Sequence, residues 1–202
     1  MKTMLVPTMW LRAGRSAADM LKDRSGIAAT EFAVVVPIML VMFFGIIEFS
    51  SGVAVDRKVT LMARTLSDLT SQSTTATDCT LTNSFSASTG ILTPYSPSPT
   101  VAKISELLID PTTLVAKVQW SRSATINSSG VVVLGSGRTV NSVVAIPTAL
   151  AVAGSYVIWS EVSYLYVPAV GYVMAPAGIT LSDVSYTRPR QSTSVPYTVA
   201  CS

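Results

Sequence analysis

From Ile27 to Ile47 the chain runs 21 residues with a single charge, Glu31. As a helix rising about 1.5 Å per residue, this run spans roughly 30 Å, the thickness of a bilayer's hydrocarbon core. Pro37 and Gly45 fall inside it, and membrane helices carry both residues more often than soluble ones do. A buried core helix of a soluble protein is the competing reading. The flanking charge favours the membrane. Before Gly26 stand Lys2, Arg12, Arg15, Lys22 and Arg24 against Asp19 and Asp23, whereas the rest of the chain is neutral overall. A short basic leader ahead of an apolar run keeps the N-terminus cytoplasmic. The net charge of +3 is therefore the leader's and implies no nucleic-acid partner.

Histidine is absent from the 202 residues, which removes Ser-His-Asp and Cys-His catalysis and His-ligated zinc. No serine stands three residues before a lysine, so the Ser-x-x-Lys arrangement is missing too. No catalytic residue, metal site or cofactor is expected. The two cysteines, Cys79 and Cys201, both follow the apolar run. On the oxidising side of a membrane they form a natural disulfide pair; the alternative is two reduced, buried thiols.

Past Ile47 the helical pattern continues. Gly52, Val55, Val59, Met62, Leu66 and Leu69 step by three or four, interleaved with Asp56, Arg57, Lys58, Arg64 and Asp68. One helix over 27–70 is predicted, with a transmembrane span at 27–47 and an amphipathic second half. Residues 71–100 are rich in Ser, Thr and Pro and read as a linker or loop. From 101 to 202 β signals dominate: "KISELLI", "TLVAKVQW", "GVVVLG", "YVIWSEVSYLYV" and "ITLSDVSY". Alternation in the second places Leu114, Ala116, Val118 and Trp120 on one face. Asp110-Pro111 predicts a turn, "GSGRT" (135–139) a hairpin turn, and "IPTALA" a short helix. The fold class is α+β: a long N-terminal helix packed against a small antiparallel β-sheet ectodomain.

The stretch "GIAATEFAVVVPIMLVMFFGIIEF", with Gly26, Glu31, Phe32, Pro37, Gly45 and Glu48, behind a basic leader of residues 1–26, resembles the type IV pilin and pseudopilin class. It is most similar to the TadE-like minor pilins of the bacterial tight-adherence (Flp) pilus. "SEVSYLYVP", with Glu161, Tyr164, Tyr166 and Pro168, and "SYTRPR", with Tyr186, Arg188, Pro189 and Arg190, look like that family's ectodomain. Phe32 departs from the major Flp pilins, which have tyrosine there.

The resemblance implies a non-enzymatic role in initiating or capping a pilus used for surface attachment and biofilm formation. A prepilin peptidase would cut between Gly26 and Ile27, leaving Glu31 about one helical turn from a new ammonium group. In a packed bundle that carboxylate would pair with a neighbour's ammonium and, with Phe32, set axial register. The alternative is that Glu31 snorkels to the headgroups. Implied partners are the peptidase, other minor and major pilins, and the inner-membrane assembly platform. The implied location is the inner membrane, single-pass, with the C-terminus periplasmic and, after processing, in the extracellular pilus. Two other readings stay open: an uncleaved single-span protein with a periplasmic binding module, and a secreted protein cut after Ala54.

Overall fold

The computed structural model describes residues 25–127, 129–168, 171 and 177–199. Helix α1, Ser25–Ser71, takes in the whole apolar run and its amphipathic continuation, with Pro37 inside it. The described residues fall into two units, the first ending at Ile46 and the second beginning at Ile47. In the first unit nearly every large apolar side chain is exposed, from Ile27 through Ile46. This is the one helix among the described residues long and apolar enough to cross a membrane. In the second unit the stripe closes: Val55, Val59, Met62, Ala63 and Leu66 are fully buried, while Asp56, Arg57, Leu61 and Arg64 face out. Leu69 is only half-buried, and the buried place one residue on belongs to Thr70, whose hydroxyl donates back to the Leu66 carbonyl.

The stripe packs on an antiparallel sheet with strand order β4-β3-β2-β6-β7: β2 Thr100–Ile109, β3 Ala116–Ile126, β4 Val132–Ser136, β6 Tyr156–Tyr166 and β7 Ile179–Thr187. A two-residue strand β5, Val143–Val144, extends the β4 edge along β3. The α1 stripe shares one core with Ala102, Ile104, Trp120, Ala124, Ile158, Val162, Tyr164 and Tyr166. Hydroxyls also cross this seam: Ser160 donates to the Ala63 carbonyl at 2.6 Å, and Ser67 bonds Ser185 and Thr187. The α+β class is as the sequence predicts.

Four local expectations need correction. Residues 71–100 are not a loop. They hold β1, Ala76–Thr77, helix α2, Asp78–Thr89, and a 3₁₀ turn, Gly90–Leu92. Thr77 and Thr80 form a reciprocal capping box, and Leu81, Phe85, Ser88 and Leu92 form a buried helical stripe. Composition hid that stripe because its polar positions are hydroxyls, several of which bond back to the helix carbonyls. The Lys58 ammonium ties this layer to α1 by donating to the carbonyls of Ile91 and Thr93.

Second, Leu114 is not on the strand. It has φ 57° in the β2–β3 turn, where the Asp110 carboxylate accepts the Thr112 and Thr113 N–H groups. Those bonds lower the Asp110 pKa to about 2. Third, Trp120 does not share a face with Ala116 and Val118. The β2–β3 register slips between Glu106 and Leu107, leaving Gln119 as an extra residue. Such a bulge exchanges faces. Trp120 joins the core under α1, whereas Ala116 and Val118 join Leu107, Ile109, Val157 and Trp159 in a second cluster. Fourth, "GSGRT" is not a hairpin: Gly135 and Ser136 end β4, and the chain detours before β5 rejoins the same edge. The β3–β4 hairpin turns instead at Asn127, whose side-chain oxygen accepts the N–H groups of Ser129 and Val131. "IPTALA" contributes only a 3₁₀ turn, Thr148–Leu150.

After β7 the chain runs back as a strap. The Arg190 N–H bonds the Ser71 carbonyl at the end of α1, and its guanidinium meets Asp68 at 2.6 Å. Farther on, β8, Tyr197–Thr198, lies parallel to β1. Between them, Glu106 accepts the Val195 N–H and the Trp120 indole N–H, and that indole also donates to the Val195 carbonyl. Burial pushes the Glu106 carboxyl above the usual range, partly offset by the Val195 and Trp120 bonds. The folded state therefore holds this proton more tightly than the unfolded chain, and stability falls as pH rises from the ordinary glutamate value through the raised one. Glu106→Gln fixes the neutral state but gives up one of two acceptors. We expect the stability difference, wild type minus variant, to shrink as pH rises across that window. Thermal unfolding at stepped pH checks it; a constant difference would contradict the assignment.

Candidate processing and assembly segment

At its head, α1 places Gly26 and Ile27 side by side in its first turn and Glu31 about one turn further on. The Thr30 hydroxyl donates to the Ile27 carbonyl at 2.8 Å. A Cβ added at Gly26 would meet nothing within 4 Å, so packing makes no demand for glycine there. Glu31 is exposed and, among the described residues, has no ion-pair partner; Val34 and Val35 lie beside it. Phe32 is 70% exposed. The segment thus presents a carboxylate and a ring from an otherwise apolar helix.

The second unit holds a carboxylate in the opposite condition. Glu48, the residue after the apolar run, is only 3% exposed. The Tyr166 hydroxyl approaches its carboxylate at 3.4 Å, and Tyr166 sits edge-on to Tyr95. Burial raises the Tyr166 pKa, and the Glu48 charge adds to it. Sequence reading quoted Glu48 and gave it no role. Its signal was there: a carboxylate seven residues before Val55 lies on the face that α1 buries.

The residues of "SEVSYLYVP" and "SYTRPR" serve three places in the second unit. Glu161 forms a bidentate pair with Arg138, and Arg138 also lies over the Trp159 ring, 4.4 Å from its centre. Tyr186 stacks on the same Trp159, and burial raises its pKa. Together these side chains pin the detour after β4 to the sheet. On the α1 side, the Tyr164 hydroxyl donates to the Ser96 carbonyl, Tyr166 reaches Glu48, and Pro168 is buried. At the strap, Arg190 holds the end of α1, Pro189 is half-buried and Arg188 is exposed. Cys79 lies in the first turn of α2; Cys201 and the leader before Ser25 lie outside the described residues. Among the described residues no three His, Cys, Asp or Glu side chains cluster as a metal site would need.

Removing one hydrogen-bond donor from a buried carboxylate costs about 0.5–1.5 kcal/mol. Tyr166→Phe is expected to destabilise the folded second unit by that amount, read by chemical denaturation of the full chain in detergent. A change below about 0.5 kcal/mol, the range of unremarkable surface substitutions, would show that the Tyr166–Glu48 contact contributes nothing.

The family model described as TadE-like protein matches residues 26–66, starting at Gly26 and ending at the buried Leu66. No curated protein and no solved structure matches the chain. Over this helix, from its exposed apolar head to its buried stripe, the chain is similar to TadE-like proteins.

Proposed function

We propose that the protein is a minor pilin or pseudopilin of a tight-adherence pilus, acting in assembly rather than catalysis. The observation that carries this reading is the place of the family match: it begins at Gly26 and covers the exposed apolar helix bearing Glu31. A contiguous apolar face of this size needs a membrane or other subunits to cover it. The helix supplies both the anchor in the inner membrane and the surface that packs in a bundle. Cleavage by a prepilin peptidase falls between Gly26 and Ile27, where glycine is not required by the fold. The cleaved subunit joins other minor and major pilins through the inner-membrane assembly platform. The ectodomain faces the periplasm, then the cell surface, and serves attachment and biofilm formation. Pairing of β1 with β8 sets Thr77 against Thr198, which supports a bridge between Cys79 and Cys201. A bridge over so long a loop is worth roughly 4–5 kcal/mol in chain entropy.

Glu31 separates assembly from simple anchoring. If it only snorkels, Glu31→Ala eases insertion by no more than about 2–3 kcal/mol and assembly persists. Paired with a neighbour's ammonium in a packed bundle, its loss leaves that ammonium buried and alone, costing about 3–5 kcal/mol. Such a cost shifts assembly by more than about a hundredfold. We therefore expect Glu31→Ala to reach the inner membrane yet fail to co-purify with other pilins, and surface pili to fall. Wild-type co-purification and pilus number in that variant would refute the assembly role.

A further inference from the structure

The β3 bulge does more than turn Trp120 inward. Together with the C-terminal strap it opens a cavity of about 380 Å³, within the size range of small-ligand sites. Trp120, Tyr156 and Tyr197 give it aromatic walls, Glu106 lies at its base, and Gln119 and Ser194 stand at its sides. Gln119 is the extra residue of the bulge and lines the cavity beside Trp120. Among the described residues, the Gln119 carboxamide, the Tyr156 hydroxyl and the Ser194 hydroxyl make no hydrogen bond. They supply donors and acceptors beside ring faces, with a mouth toward solvent.

The charges around the cavity narrow the ligand. Glu106 is 2% exposed, and its two oxygens already accept N–H groups from Val195 and Trp120. A fixed carboxylate at the base disfavours an anion. The Arg122 guanidinium lies 5.5 Å from the centre of the Tyr197 ring, so that ring already carries a cation and is not free to receive a ligand's. Arg122 is itself neutralised by Asp78 at 2.9 Å, and among the described residues the cavity lining holds no cation to attract an anion. A purely apolar ligand would strand the Gln119, Tyr156 and Ser194 groups without partners. What fits is a neutral ring with an apolar C–H face to stack on the aromatics and hydroxyls at its rim.

From this geometry we propose that the cavity between the β3 bulge and the C-terminal strap is a binding subsite for a neutral saccharide. Sugar C–H faces stack on the Tyr156 and Tyr197 rings, and sugar hydroxyls exchange hydrogen bonds with Gln119, Ser194 and the Tyr156 hydroxyl. The strap, which contributes Ser194 and Tyr197, is one wall of the site, so its anchoring by Glu106 fixes the cavity's shape. This inference does not depend on the pilus reading.

The test uses the full chain in a sugar-free zwitterionic detergent and saturation-transfer NMR. Probes are glucose, galactose, mannose and N-acetylglucosamine with their disaccharides, alongside glucosamine and glucuronate as cationic and anionic comparators. We expect transfer to at least one neutral sugar, weaker by about tenfold or more for both comparators, and a shift of the Trp120 indole resonance on titration. Gln119→Ala and Tyr156→Ala, each with thermal unfolding unchanged, are expected to weaken binding by about tenfold. Should either variant unfold, the wild-type panel and the Trp120 resonance decide alone. The proposal is overturned by no transfer from any neutral sugar, by preference for a charged comparator, by an unmoved Trp120 signal, or by binding that survives both substitutions.

Discussion

Every other part of the second unit depends on the seating of α1 in the sheet. Val55, Val59, Met62 and Leu66 bury completely, and burying each such side chain is worth about 1.5–3 kcal/mol. Strands β2, β3 and β6 supply the facing side chains, and α2 covers the same core with Leu81 and Phe85. The strap then fastens the C-terminal end of α1 through Arg190. The family match ends at Leu66, on this same stripe.

The two carboxylates at the ends of the apolar run are treated oppositely. Glu48 is inside the fold of the second unit and has the Tyr166 hydroxyl against it. Glu31 is exposed on the described helix. A buried carboxylate needs partners, and an exposed one in an apolar helix needs either water, headgroups or a cation from outside the chain. The proposed function makes that outside cation the N-terminus of a neighbouring subunit.

Much of this was legible in the sequence, for identifiable reasons. The apolar run and the stripe at three- and four-residue steps are periodic signals of long elements, and both are present where they were expected. The α+β class followed from them and from the β-rich second half. What was hidden was local. Helix α2 is disguised because Ser and Thr occupy its polar face, and its stripe of Leu81, Phe85 and Leu92 is sparse. The bulge at Gln119 was invisible because alternation continues through it by residue type while the backbone changes face. The contacts of the "SEVSYLYVP" and "SYTRPR" residues were not legible: Arg138, the partner of Glu161 and Trp159, stands in a segment that reads as a turn. Glu106 and Val195 are 89 residues apart, and only the folded sheet brings them together.

The central claim is that α1 is the helix of a processed, assembled subunit. The most direct test is the N-terminal residue and intact mass of the chain purified from its native membrane. The account predicts a chain beginning at Ile27. A chain beginning at Met1 would contradict it in favour of an uncleaved anchor, and one beginning at Val55 in favour of a removed signal segment.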